Sequence, residues 1–171
     1  RLEEYKERVG DLVSSKTLLN EKCIELETKY TDLENIMSNS YKKGAFAESK
    51  LEDVLDEKLG GEYLVDNIGK RDNHSADIHI SNRCEDAIIL VESKFYSEGS
   101  KNMVSHKEIP KFHKDIDSCK AKCEVYSAIF ISYGCDIPNI TRSFTVRQEK
   151  GMRVYYFANM TEELLEMMIS V

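Results

Sequence analysis

The sequence predicts an α/β protein in which a coiled-coil helix leads into a mixed sheet flanked by helices. Three observations carry this. Apolar residues recur at alternating spacings of three and four along 1–39, short β-type runs separated by turn residues follow Gly61, and amphipathic helical stretches sit before, among and after those runs. Helices interleaved with strands are the pattern of a sheet covered by helices.

The stalk comes first. Leu2, Tyr5, Val9, Leu12, Lys16, Leu19, Cys23, Leu26, Tyr30, Leu33 and Met37 form one seam over about five heptads, with Lys16 its one charged position. A polar residue at an a position costs stability but sets register and favours two strands, so the stalk is expected to join a homodimer. The alternative is one long helix packed on its own domain. Asn39-Ser40 interrupts the pattern, and a domain of 44–171 is expected to follow.

In that domain, 45–59 reads as a helix with an apolar stripe through Phe46, Leu51, Val54, Leu55 and Leu59, stopped by Gly60-Gly61. Strands are expected at 63–67, 77–80 and 87–94, a Lys-rich helix at 103–123, and strands at 125–133, 144–147 and 154–157. Residues 161–169 read as a closing helix capped by Thr161. Tyr155, Tyr156 and Phe157 alternate faces on a strand and are expected in the core rather than as a platform for stacked bases.

The formal charge of −7 argues against a uniformly basic surface, yet it is unevenly spread. Residues 1–40 hold six Lys/Arg against nine Asp/Glu, whereas 94–122 hold seven Lys against four Asp/Glu. Five scattered cysteines without a Cys-x-x-Cys pair suit a reducing, intracellular compartment better than a disulfide framework. No window has the eighteen or so apolar residues of a membrane span. The chain starts at Arg1 rather than Met, which suggests a segment of a longer protein whose targeting signals lie upstream.

The chemistry concentrates at the end of the strand 87–94. Ala87 to Val91 are all apolar, the mark of a strand covered on both faces, but Glu92-Ser93-Lys94 follow at once. Glu92 and Lys94 share a face, and Ser93 takes the other. If 77–80 pairs antiparallel with 87–94, Asp77 arrives beside Glu92. Those carboxylates, joined by Glu48 from the preceding helix, would make an oxygen site for Mg²⁺ or Mn²⁺. An ammonium beside such a site can orient a metal-bound water or stabilise charge on a phosphate.

Asp77, fourteen intervening residues and then Glu92-Ser93-Lys94, preceded by a helix carrying Glu48, resemble the PD-(D/E)xK or restriction-endonuclease-like nuclease superfamily. Ala76 stands where that family's name has proline. More narrowly, "KGAFAESKLEDVLDEKL", "SADIHI" and "ILVESKFY" after a coiled coil are similar to the layout of RmuC-type DNA recombination proteins, which often have Asp at the position of Glu92.

The resemblance implies a core of helix, three antiparallel strands, helix and further strand, and a metal-dependent DNA endonuclease or exonuclease. Glu48, Asp77, Glu92 and Lys94 would be catalytic. Asp77, Glu92, the backbone carbonyl of Ser93 and Glu48 would hold the metal, and cleavage would leave a 5′ phosphate. His74, Lys101, Lys107 and Lys111 are candidate DNA contacts. The rival reading is a non-catalytic DNA-binding or scaffold protein joined through its coiled coil, and a third is an RNA nuclease of the same fold.

Overall fold

The computed structural model describes residues 1–69, 76–82, 84, 87–96 and 103–169. The chain divides into two compact units, Arg1–Lys43 and Gly44–Val171. In the first, α1 (Leu2–Met37) is one continuous helix of 36 residues. The seam residues Leu2, Tyr5, Val9, Leu12, Leu19, Leu26, Tyr30 and Leu33 are all exposed in the single chain.

The next helix, α2 (Ser40–Leu59), begins five residues earlier than the sequence suggests, so the interruption at Asn39-Ser40 is a turn between helices and not a longer loop. The reason is local. Asn39 accepts a bond from the Lys42 backbone N–H through Oδ1 at 3.3 Å, which caps the helix start. With that cap in place, Gly44 is carried inside the helix at a cost of about 1 kcal/mol relative to alanine.

The second unit contains α2 from Gly44 on, β1 (Tyr63–Asn67), β2 (Ile78–Asn82), β3 (Ala87–Phe95), α3 (Glu108–Lys120), β4 (Glu124–Tyr133), β5 (Phe144–Glu149), β6 (Met152–Phe157) and α4 (Glu162–Ile169). The strands form one six-stranded mixed sheet in the order β1-β2-β3-β4-β6-β5. β2 runs antiparallel to β1 and to β3, β4 runs parallel to β3, β6 parallel to β4, and β5 antiparallel to β6.

Strand alternation sends side chains to two cores. Leu90, Ala128, Phe130, Val154 and Tyr156 meet Phe112, Ile116 and Cys119 of α3 on one face. Ile78, Ile80, Val91, Ile129, Ile131 and Phe157 meet Leu51 and Leu55 of α2 and Met168 of α4 on the other. Tyr155, Tyr156 and Phe157 are all buried, as a core reading of that run requires.

The Lys-rich helix is shorter than 103–123. Met103 forms a parallel bridge with Asp136, and the Val104 N–H donates to the Asp136 carbonyl at 2.8 Å, so the chain is held extended before the helix can start. Pro110 then falls in the first turn of α3, where no intrahelical acceptor is available for its missing N–H. β5 and β6 are joined by Lys150 and Gly151, both with positive φ (53° and 75°), the backbone of a tight type I′ hairpin turn. Thr161 caps α4 as expected, its Oγ1 accepting from the Leu164 N–H at 3.4 Å.

Candidate active site at the carboxyl end of strand β3

β3 sits where the sheet changes character, antiparallel to β2 on one side and parallel to β4 on the other. Ile78 of β2 lies opposite Val91, which puts the preceding Asp77 opposite Glu92. The pairing expected from the sequence is therefore the observed one. Asp77 is fixed there by its backbone as well as its side chain: its carbonyl accepts from the N–H groups of Ile68 and Gly69 at 3.0 and 3.1 Å. Its Oδ2 accepts from the Ser93 backbone N–H at 2.8 Å and from the Ser93 hydroxyl at 3.3 Å.

Glu92 projects towards the α3 side and its side chain is only 2% exposed. Its Oε1 lies 2.6 Å from Lys94 Nζ and 3.9 Å from Lys111 Nζ, the latter reaching in from α3. Its Oε2 is buried and has no hydrogen-bond partner among the described residues. Burial, followed by the charge of Asp77, pushes the Glu92 carboxyl up to about 7, while Lys94 and Lys111 pull it the other way.

Lys94 shifts in the same direction. Burial alone would lower its pKa, but the charges of Glu92 and Asp77 outweigh that and hold the ammonium well above its ordinary value. A further carboxylate, Glu108 at the start of α3, lies 3.9 Å from Lys94 Nζ. Burying an ion pair costs several kcal/mol per ion before the mutual attraction is counted, so an isolated pair here would stabilise the fold little.

No family model and no curated protein matches the chain. The site's meaning therefore rests on its geometry.

Of the candidate residues, the structure gathers Asp77, Glu92, Ser93, Lys94 and Lys111 around the end of β3. Glu48 lies on α2 with Oε1 turned towards Gly44, one turn earlier in the helix. Among the described residues no group of three or more His, Cys, Asp or Glu side chains is arranged to hold a metal. Lys107 is exposed at the N-cap of α3. His74 and Lys101 fall outside the described residues.

Two contributions had no clear signal in the sequence. Glu108 precedes Lys111 by three residues and so shares its helix face, a spacing that becomes informative only once α3 is known to start at Glu108. The second is the bond from the Ser93 N–H to Asp77, which makes the backbone of the middle residue of Glu92-Ser93-Lys94 part of the site. Among the described residues no helix is long and apolar enough to cross a membrane.

Proposed function

We propose that this chain is a Mg²⁺- or Mn²⁺-dependent deoxyribonuclease that hydrolyses phosphodiester bonds with metal-activated water. The observation that carries the reading is Glu92: a buried carboxylate with one oxygen lacking a donor, beside Asp77 and bonded to Lys94. Two carboxylates under mutual repulsion with an unsatisfied buried oxygen have the donor chemistry of a hard divalent cation site. The order α2, three antiparallel strands, α3 and parallel β4 is also the order the nuclease resemblance implies.

Asp77, Glu92 and the Ser93 carbonyl would hold the cation, with Glu48 completing the set directly or through water. The cation when bound lowers the pKa of water and neutralises charge on the phosphate. Lys94 holds the attacking water in line and balances charge as the 3′ oxygen leaves. Lys111, whose Nζ lies 3.9 Å from Glu92 Oε1, would meet a phosphate of the DNA, with Lys107, His74 and Lys101 as further candidate contacts. The exposed seam of α1 supports a homodimer joined by a two-stranded coiled coil. Free cysteines suit a reducing compartment inside the cell, and a role in DNA repair or recombination is what the resemblance to RmuC-type proteins implies.

The test is cleavage of linear, circular, single-stranded and branched DNA in Mg²⁺ or Mn²⁺. Asp77→Ala and Lys94→Ala, checked for folding by circular dichroism, are expected to slow cleavage by at least about 100-fold, as loss of a preorganised electrostatic group does. Cleavage at the parent rate by either folded variant refutes the reading. The alternative, a non-catalytic DNA-holding scaffold, is favoured by the closed Lys94–Glu92 pair. It is distinguished by salt-sensitive DNA binding without Mn²⁺ binding that Asp77→Asn abolishes.

A further inference from the structure

On the α2/α4 side of the sheet, at the opposite end of β3 from Glu92, lies a groove of about 530 Å³. Its floor is apolar, made by Ile80, Ile89, Ile129, Tyr155 and Phe157. Leu55 and Leu59 of α2 and Met168 and Ile169 of α4 wall it. The volume lies within the roughly 300–1,000 Å³ typical of small-molecule pockets.

Two polar features mark its rim. Arg153 lines the groove from β6 and is exposed, and among the described residues its guanidinium has no ion pair or hydrogen bond. Across from it the β3–β4 ladder slips: Ile88 pairs with Val125 but Ile89 pairs with Ser127, leaving Tyr126 as the extra residue of a bulge. Bulges re-aim side chains, and Tyr126 lines the groove while 71% exposed. An exposed aromatic ring and an unpaired guanidinium over an apolar floor complement a molecule with an apolar body and one anionic end.

We infer that this groove binds a small amphiphilic anion, its acyl or aryl body on the sheet floor and its carboxylate or sulfonate on Arg153. The site lies on the other face of the sheet from Glu92 and Lys94, so it stands or falls separately from the proposed nuclease activity.

The full chain is titrated with 8-anilinonaphthalene-1-sulfonate by fluorescence, and bound dye is displaced with decanoate or decanol. Decanoate is expected to displace the dye at roughly tenfold lower concentration than decanol, the value of one charge-assisted hydrogen bond. Arg153→Gln, a surface change, should erase that preference and leave decanol unaffected. Ala87→Trp, which fills the groove from the start of β3, should abolish dye binding without altering the circular dichroism. Equal displacement by decanoate and decanol, an unchanged preference in Arg153→Gln, or dye affinity that falls with protein concentration because a second copy fills the groove would each overturn the inference.

Discussion

At one end of β3, Ala87 and Ile89 look onto a groove that the flanking helices leave open; at the other, Glu92 and Lys94 are packed beneath α3. The backbone is the same, and the difference comes from what covers each end. α3 lays a continuous apolar face on the sheet through Phe112, Ile116 and Cys119, which removes water from around Glu92 and makes its charge expensive. Towards the start of the strand, Ala87 and Ile89 are half-buried over the groove, and the cost there is unfilled contact rather than desolvation. Burial in one sheet thus goes with a desolvated polar site at one end of β3 and an apolar recess at the other.

The largest test of this contrast is packing. Phe130 is fully buried on the α3 side, edge-on to Phe112 at 5.3 Å between ring centroids. Phe130→Ala is expected to cost about 3–5 kcal/mol by urea denaturation, whereas Ile89→Ala on the groove side should cost less than about 2 kcal/mol. Equal losses would mean that the groove end is ordinary core and would collapse the comparison.

The charged end predicts a pH signature. Because the Glu92 carboxyl is pushed up to about 7 from an ordinary 4.5, the folded chain holds this proton more tightly than the unfolded chain does. The stabilisation is complete below pH 4.5 and lost as pH rises through 7. Glu92→Gln removes the titration. Its stability relative to the parent should therefore improve by up to about 3 kcal/mol between acid and mildly alkaline pH, read from denaturant midpoints at each pH. A pH-independent difference would show that Lys94 and Lys111 offset the burial of the carboxylate.

The smallest effect concerns the groove wall. Thr161→Ala removes the cap of α4 and should cost about 1 kcal/mol while leaving the proposed DNA cleavage unchanged. Altered cleavage would mean that the two ends of the sheet communicate.

Much of this was legible in the residues themselves. The strand 63–67 is β1 at its observed limits, and the apolar run from Ala87 announced the central strand because period and burial agree there. Asp77 beside Glu92 followed from hairpin pairing alone. What escaped depends on contacts far apart in the chain. The start of α3 is set by pairing between Met103 and Asp136, and the reach of Lys111 and Glu108 into the site depends on that start. The start of α2 turned on a single cap, which brought Gly44 inside the helix. The groove had no sequence signal, since its lining comes from two helices and five strands far apart in the chain.

The bond from the Ser93 N–H to Asp77 also bears on how the chain finds its register. A slip of one residue between β2 and β3 would turn Glu92 and Lys94 to the opposite face and Val91 and Ser93 towards α3, and apolar residues on both sides of β3 would resist it only weakly. A carboxylate that meets one particular backbone N–H discriminates between registers where hydrophobicity does not. Because β2 and β3 are neighbours in sequence, that choice can be made early, before the longer crossover brings β4 alongside.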